Sequence, residues 1–284
     1  MYPNFAEISM DSQVQELDGG SHKVFLVRLN GRKVVYKLIN SISDQPTRSA
    51  IKKILRNIDR PIFEYFMDEI PQQKYRDRSF TKYSDIELRT LKEWRKRGIP
   101  CTNVLEKHDD EIIYDYLDAD KYSNILERIK FKEKEFNELI KTYDMIRFEA
   151  KKDQDKTLLH SDAHLRNFLY SESLNKAMAI DPGLKVKDNM NFEQTDAYIN
   201  LFFSYCLTEL NSPNVNKYLS IFSDSLSRKE KDSVLKINKP LSVFANIYFD
   251  VRTKTISFIK GEQIISPAQL CSYEKIDLVN NIFS

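Results

Sequence analysis

Alternating apolar and polar residues near the N-terminus predict a β-hairpin. Two runs rich in β-branched residues, 23–29 and 32–39, are separated by Asn30 and Gly31. Both turn residues tolerate the positive φ angles that a two-residue hairpin turn requires, which makes this pair a strong local signal. Further short apolar runs predict two more strands, at 103–106 and 111–116. The first part of the chain is therefore expected to be rich in β-structure.

Helical periodicity dominates the second part of the chain. In 131–152, apolar residues recur at the spacing of one face of an α-helix, and they are Phe136, Leu139, Ile140, Tyr143 and Ile146. Comparable patterns predict helices at 84–98, 193–210 and 214–227. The segment 47–70 also has a helical pattern, and 244–259 fits either a helix or a hairpin. The change in pattern predicts an α+β fold with two lobes, 1–118 with a helical insertion at 41–80, and 119–284.

A polar loop lies between two short apolar segments in the second lobe. The segments 157–160 and 177–180 are expected to be strands, and the loop SDAHLRN between them carries Asp162 and Asn167. Asp181 directly follows the second segment. Phosphoryl transfer needs a carboxylate that orients the attacking hydroxyl and oxygen ligands that hold Mg²⁺ against the phosphates. The order of these three side chains fits that chemistry.

Composition excludes several classes of protein. The 44 Lys and Arg residues balance 42 Asp and Glu, so charge alone gives no reason to expect nucleic-acid binding. Three cysteines without a CxxC pair indicate neither a disulfide framework nor a zinc site, and they fit a reducing cytoplasm. The start of the chain lacks a secretion signal, and the apolar stretch 197–210 is too short to span a bilayer and contains Glu209. We expect a cytoplasmic protein without a transmembrane segment, with peripheral contact at the inner face of a membrane left open.

The loop and the aspartate after it resemble a known family. The pattern H-x-D-x-H-x-x-N followed by I-D-x-G is similar to that of the protein-kinase superfamily, above all to bacterial lipopolysaccharide core heptose and Kdo kinases and to aminoglycoside phosphotransferases. The resemblance implies a bilobal protein-kinase-like fold, ATP and Mg²⁺ as cofactors, Asp162 as the catalytic aspartate that orients the acceptor, and Asn167 and Asp181 as metal ligands. Protein kinases typically carry Lys at the position of His164, so His164 is a further catalytic-site candidate that would touch substrate or phosphate. His160 is expected to be structural.

The resemblance extends upstream of the loop. Lys37 in VVYKL looks like the lysine that contacts ATP phosphates, and Glu87 matches the acid that holds it. The nucleotide-binding candidates also include three residues before the hairpin, Gly19, Gly20 and Ser21. IIYDYLD is similar to the family's interlobe connection, and Asp196 is similar to an acid that braces the catalytic loop.

Several features depart from the family pattern. The glycine-rich loop lacks a full G-x-G-x-x-G, Ser161 replaces the usual Gly, and Pro182 lies in the metal-site tripeptide, where it fixes φ and removes an N–H donor. Glu87 also has a second interpretation, because Ser84 and Glu87 fit the capping box of a helix start. Glu64 would then be the alternative partner of Lys37.

The function predicted from these residues is transfer of the γ-phosphoryl group of ATP to an alcohol, with a sugar hydroxyl of a glycan such as lipopolysaccharide core as first choice. The alternatives are an aminoglycoside or small-metabolite kinase, a Ser/Thr protein kinase, and a nucleotide-binding pseudokinase without turnover. A metal-hydrolase interpretation of H-x-D-x-H needs additional ligands. Besides His160 and His164, the chain has only His22 and His108.

Overall fold

The computed structural model describes most of the chain in several ranges. These are 2–3, 8, 14–17, 23–38, 80–108, 111–182, 191–238 and 273–284. The expectations for 41–79, for 244–259 and for Gly19, Gly20 and Ser21 lie outside the described residues.

The N-terminal part forms a five-stranded antiparallel sheet. Its spatial order is β1-β2-β3-β5-β4, and the strands are β1 (Val14–Leu17), β2 (Lys23–Leu29), β3 (Arg32–Leu38), β4 (Val104–His108) and β5 (Glu111–Asp115). The hairpin between β2 and β3 is confirmed, with Asn30 at φ 49° and Gly31 at φ 79°. Val27, Val34, Tyr36 and Ile113 form a small buried cluster on this sheet. The four strands predicted from the sequence are thus confirmed, and β1 is an additional one.

One helix, α1 (Phe80–Lys96), connects the sheet to the rest of the molecule. It ends at Gly98, whose φ of 73° allows its N–H to bond the Arg95 carbonyl at 3.0 Å while the Ile99 N–H bonds the Trp94 carbonyl at 2.9 Å. This pair of bonds satisfies carbonyls that would otherwise lack partners at the helix end. The fully buried Trp94 donates its indole N–H to the Leu158 carbonyl at 2.8 Å. The helix therefore contacts both parts of the molecule.

The C-terminal part is mostly helical. Its helices are α2 (Tyr122–Leu126), α3 (Glu133–Asp153), α4 (Phe192–Thr208), α5 (Val215–Ser225), α6 (228–238) and α7 (Tyr273–Phe283). The apolar stripe of α3 is buried as expected, and Tyr143 stacks on Phe203 of α4 with ring centroids 4.6 Å apart. No helix within the described ranges has the length and apolar character needed to cross a membrane. Together, the N-terminal antiparallel sheet and the mostly helical C-terminal part form the α+β architecture predicted above.

A second, three-stranded antiparallel sheet carries the polar loop. It contains β6 (Asp120–Lys121), β7 (Phe168–Ser171) and β8 (Lys176–Ala179) in that order. The prediction of a strand at 157–160 is wrong, because Lys156–Leu158 form a 3₁₀ turn that Asp155 caps by accepting from the Thr157 N–H. The partner of β8 is instead β7, which follows the loop. The boundary between lobes at 118 and 119 stays a prediction.

Candidate active site

A buried charge cluster connects the sheet, α1 and the segment after β8. The Lys37 ammonium on β3 lies 2.9 Å from Glu87 Oε2 and 3.3 Å from Asp181 Oδ1. The side chains of Lys37 and Glu87 are 8% and 2% exposed, whereas Asp181 is 31% exposed. The pair predicted from the sequence is thus present, and its contact with Asp181 brings a third candidate residue to the same place.

Glu87 is positioned by the interior of α1. The helix already runs from Phe80, so the capping-box interpretation of Ser84 and Glu87 is contradicted. The second carboxylate oxygen of Glu87 accepts from the Tyr114 hydroxyl on β5. Tyr114 was not among the predicted site residues; the available signal was a hydroxyl-bearing ring directly after Ile112 and Ile113 in β5. Glu64, the alternative partner, lies outside the described residues.

The electrostatics of this cluster favour the charged form of Lys37. Burial alone would lower the pKa of Lys37, but the charges of Glu87 and Asp181 outweigh it and the pKa is raised. Burial raises the pKa of Glu87, opposed by Lys37 and by the Tyr114 hydroxyl. A buried ammonium is tolerated only with such partners. Lys37 is therefore a fixed positive charge at the edge of the site.

The polar loop is held in shape by its own hydrogen bonds. The His164 N–H donates to the Asp162 carbonyl at 2.7 Å, and the Asn167 N–H donates to the His164 carbonyl at 2.8 Å, which closes a 3₁₀ turn over Leu165–Asn167. The Asn167 side-chain amide donates to the Asp162 carbonyl at 2.9 Å and to Asp162 Oδ2 at 3.0 Å. Asp162 is solvent-exposed while Asn167 is buried. An exposed carboxylate is thus fixed by a buried amide.

Backbone hydrogen bonds place this loop beside Asp181. The Ile180 N–H donates to the Asn167 carbonyl at 2.9 Å, and the Ser161 N–H donates to the Pro182 carbonyl at 3.0 Å. Asp181 itself has φ 46°, a left-handed conformation that is uncommon for residues other than glycine. The loop and Asp181 are consequently neighbours, and Asp181 in turn contacts Lys37. Five of the predicted site residues lie in this one connected arrangement: Lys37, Glu87, Asp162, Asn167 and Asp181.

His160, directly before the loop, packs against buried aromatic rings. Its ring lies 5.4 Å from the Trp94 ring and 4.9 Å from the Phe168 ring, and Nε2 is 3.1 Å from the Ile180 carbonyl, to which it donates. Burial lowers the pKa of His160, so the ring is neutral at pH 7. The ring packs between helix α1 and strand β7, which is the structural position expected for it.

His164 lies on the other side of the loop. Its side chain is 20% exposed, and Nε2 is 3.6 Å from Glu209 Oε2 just after α4. The Arg166 guanidinium is adjacent, with Nε 3.3 Å from Nδ1 of His164. The contact of His164 with a substrate or phosphate stays a prediction.

Asp196 does not have the contacts expected of a loop brace. Its carboxylate accepts from Nε and Nη2 of Arg147, both at 2.8 Å, and from the Asn200 amide at 3.3 Å. Asp196 therefore joins α4 to α3. The loop is held by Asn167 and His160 instead.

The donor set fits a hard divalent cation. Both recorded hydrogen bonds of the Asn167 amide nitrogen go to Asp162, so Oδ1 is the Asn167 atom available to a cation. Asp181 contributes a carboxylate, and both ligands are oxygens, the type that Mg²⁺ prefers. These two residues could hold Mg²⁺ beside Lys37.

Comparisons with known proteins find structural likeness to solved chains but no match in sequence. No protein-family model matches the chain. No curated protein matches it in sequence. Among solved structures, a variant of the PknI kinase domain of Mycobacterium tuberculosis matches with a TM-score of 0.42 and 12% identity, over 100% of both chains. At that level the match says nothing about activity or substrate, which rest on the site geometry.

Proposed function

We propose that this chain is an ATP- and Mg²⁺-dependent kinase that moves the γ-phosphoryl group to an alcohol acceptor, with a sugar hydroxyl of a glycan such as lipopolysaccharide core as the preferred acceptor. One observation carries the proposal. The buried Lys37 contacts Glu87 and Asp181, and Asp181 follows the segment that pins the Asp162 and Asn167 loop. A cation for phosphates, two oxygen ligands and an exposed carboxylate thus lie side by side.

Each residue has a distinct task in such a transfer. Lys37, held by Glu87, binds phosphate oxygens as a preorganised positive charge, which needs little rearrangement during the reaction. Asp162 accepts a hydrogen bond from the acceptor hydroxyl and takes its proton as the new ester bond forms. Asn167 fixes the Asp162 carboxylate, and its Oδ1, with Asp181, would bind Mg²⁺. Bound Mg²⁺ supplies neutralisation of charge on the phosphates.

The choice of a sugar acceptor rests on the loop. Protein kinases typically carry a lysine where this chain has His164, and the loop is similar to that of kinases of glycans and antibiotics. Aminoglycosides, small metabolites and Ser/Thr side chains are the other acceptors considered. A nucleotide-binding pseudokinase is the alternative outside enzymes.

Labelled ATP tests the proposal directly. The purified chain is incubated with γ-labelled ATP and Mg²⁺ against separate glycolipid, small-molecule and protein fractions. Label in the glycolipid fraction is the expected result. Label in another fraction would show that the chain is a kinase with a different acceptor. Thermal stabilisation by ATP without label in any fraction would identify a pseudokinase and refute turnover.

Asp181→Ala is expected to remove Mg²⁺-dependent nucleotide binding. Removing one of two protein ligands should weaken binding of Mg²⁺-ATP about tenfold or more, which corresponds to at least ~1.4 kcal/mol. The measurement is calorimetric titration with a non-hydrolysable ATP analogue, with and without Mg²⁺. Asp224→Ala, at an aspartate of α5 whose side chain is 83% exposed, is the control. An unchanged Mg²⁺ dependence in Asp181→Ala would contradict the metal assignment.

Glu87→Gln is expected to lower the kcat/KM for ATP about tenfold or more while the fold is retained. The amide keeps the size of Glu87 and its contact with Tyr114 but loses the charge that holds Lys37. Steady-state kinetics with varied ATP measure the effect. Glu93→Gln on the same helix is the matched control, because Glu93 pairs only with Lys96 at the surface in the described contacts. Equal kinetics for both variants would show that the buried pair does not serve nucleotide binding.

A further inference from the structure

Three potential metal ligands meet beside the polar loop. They come from His164, Cys206 and Glu209, and their donor atoms all lie within 4.8 Å of one another. Cys206 and Glu209 are three residues apart at the end of α4, so they face the same side of the helix, and His164 precedes the 3₁₀ turn of the loop. This cluster is separate from the oxygen ligands Asn167 and Asp181.

The donor types select a different kind of ion from Mg²⁺. An imidazole nitrogen, a thiolate sulfur and a carboxylate oxygen together suit Zn²⁺ and other borderline transition metals, whereas Mg²⁺ avoids sulfur. In a tetrahedral zinc site the bond lengths of about 2.0–2.3 Å place neighbouring donors about 3.3–3.6 Å apart. Nε2 of His164 is already 3.6 Å from Oε2 of Glu209. Closing the site requires the donor atoms, now within 4.8 Å of one another, to draw together. It also requires His164 to give up the hydrogen bond that Nδ1 accepts from the Arg166 N–H, so that Nε2 presents its lone pair to the ion.

Two features of the cluster bear on cation binding. Burial raises the pKa of the Cys206 thiol well above its usual value, so a bound ion must displace the thiol proton. Glu209 is the C-cap of α4, where the helix dipole disfavours a carboxylate, and the last turn contains no basic residue. A bound divalent ion would neutralise the Glu209 carboxylate and the thiolate that forms when the ion displaces the Cys206 proton.

Access to the cluster is one-sided. Cys206 is 1% exposed, whereas the side chains of His164 and Glu209 are 20% and 31% exposed. An ion can enter from the solvent side and keep water as its fourth ligand. Arg166 lies over the entrance, with Nη2 3.3 Å from Nε2 of His164. Because Arg166 is exposed, its guanidinium can move away when an ion binds.

We propose that His164, Cys206 and Glu209 form a binding site for Zn²⁺ or a chemically similar transition-metal ion. Binding replaces the thiol proton of Cys206, which passes to solvent, and places a divalent charge next to Asp162, whose carbonyl accepts from His164. The site does not depend on the proposed kinase activity. It would let the chain bind a transition metal beside the polar loop.

Cobalt is the probe that reports the sulfur ligand. The metal-stripped, nucleotide-free chain is titrated with Co²⁺, and the expected result is a thiolate-to-cobalt charge-transfer absorption that saturates at one equivalent. Zn²⁺ should abolish the absorption and Mg²⁺ should not. Co²⁺ bound at the oxygen ligands Asn167 and Asp181 lacks this absorption, so the two sites are distinguishable. Binding without charge transfer would mean an adventitious ion only and would overturn the proposal.

Substitutions assign the ligands. Cys206→Ser should lose the charge-transfer absorption, while Cys101→Ser, at the other buried cysteine of the described residues, should keep it. Glu209→Gln at the exposed rim should weaken Zn²⁺ binding about tenfold or more and reduce the Zn²⁺-dependent rise in Tm expected for the unsubstituted chain. If Cys206→Ser fails to fold, the Glu209→Gln variant still tests the site. Charge transfer that persists in Cys206→Ser, or an unchanged affinity in Glu209→Gln, would refute the site.

Discussion

Asp162→Asn is expected to lower the rate of phosphoryl transfer about 10²- to 10⁴-fold while ATP binding stays unchanged. That range is the contribution typical of a positioned general base. The Asn side chain has nearly the same shape, and its oxygen can still accept from the Asn167 amide, which is 3.0 Å from Oδ2 of Asp162. The fold of the loop is therefore retained, and only the proton-accepting carboxylate is lost.

The measurement separates chemistry from binding. Single-turnover transfer to the identified acceptor gives the rate, and calorimetric titration with Mg²⁺ and an ATP analogue gives the affinity. Asp155→Asn is the matched control, because Asp155 is a nearby aspartate that only caps the 3₁₀ turn before the loop. If Asp162→Asn transferred phosphate at the unsubstituted rate, Asp162 would not be the base and the mechanism would be wrong.

Periodic segments of the chain could be predicted because one local rule decides them. Asn30 and Gly31 tolerate the positive φ angles of a tight turn between two alternating runs. The apolar stripe on α3 predicts a buried face, on which Phe136, Leu139 and Tyr143 are completely buried. In both cases neighbours within a few residues determine the structure. The pair Lys37 and Glu87 was predicted from its resemblance to a family pattern, and the structure brings the two side chains together.

Short apolar runs could not be assigned in the same way. The run 157–160 is equally compatible with a strand and with a buried turn. The Asp155 side chain stabilises the turn, because it accepts hydrogen bonds from Thr157 and caps the 3₁₀ helix. Strand β7 was overlooked because Phe168 and Tyr170 directly follow the polar loop. Its pairing with β8 depends on residues that lie on both sides of the intervening turn.

The contacts of Asp196 also could not be predicted from the sequence. Its partner Arg147 lies in another helix, 49 positions away. One signal was available, because Arg147 falls on the buried face of α3, between Tyr143 and Ala150. A charged residue within an apolar stripe requires a buried partner.

The buried Arg147 network holds three helices of the C-terminal part together. Arg147 makes two parallel hydrogen bonds to Asp196 on α4, each 2.8 Å, and a further one of 2.8 Å to Glu230 on α6. Arg147 and Asp196 are 7% and 6% exposed. Two-point contacts of this kind are stronger than single ones, and burial makes the loss of one partner costly.

Arg147→Ala is therefore expected to lower the free energy of unfolding by about 3–5 kcal/mol, since Asp196 would remain buried without its counter-charge. Urea unfolding measures the change. The matched control is Lys229→Ala, which removes an ion pair with Glu193 between the same two helices α4 and α6, where the side chains are 76% and 66% exposed. That exposed pair should contribute about 0–1 kcal/mol.

The double variant Arg147→Met with Asp196→Leu, which removes both charges, should be more stable than Arg147→Ala. A loss in Arg147→Ala no larger than in Lys229→Ala would show that the network does not hold these helices together.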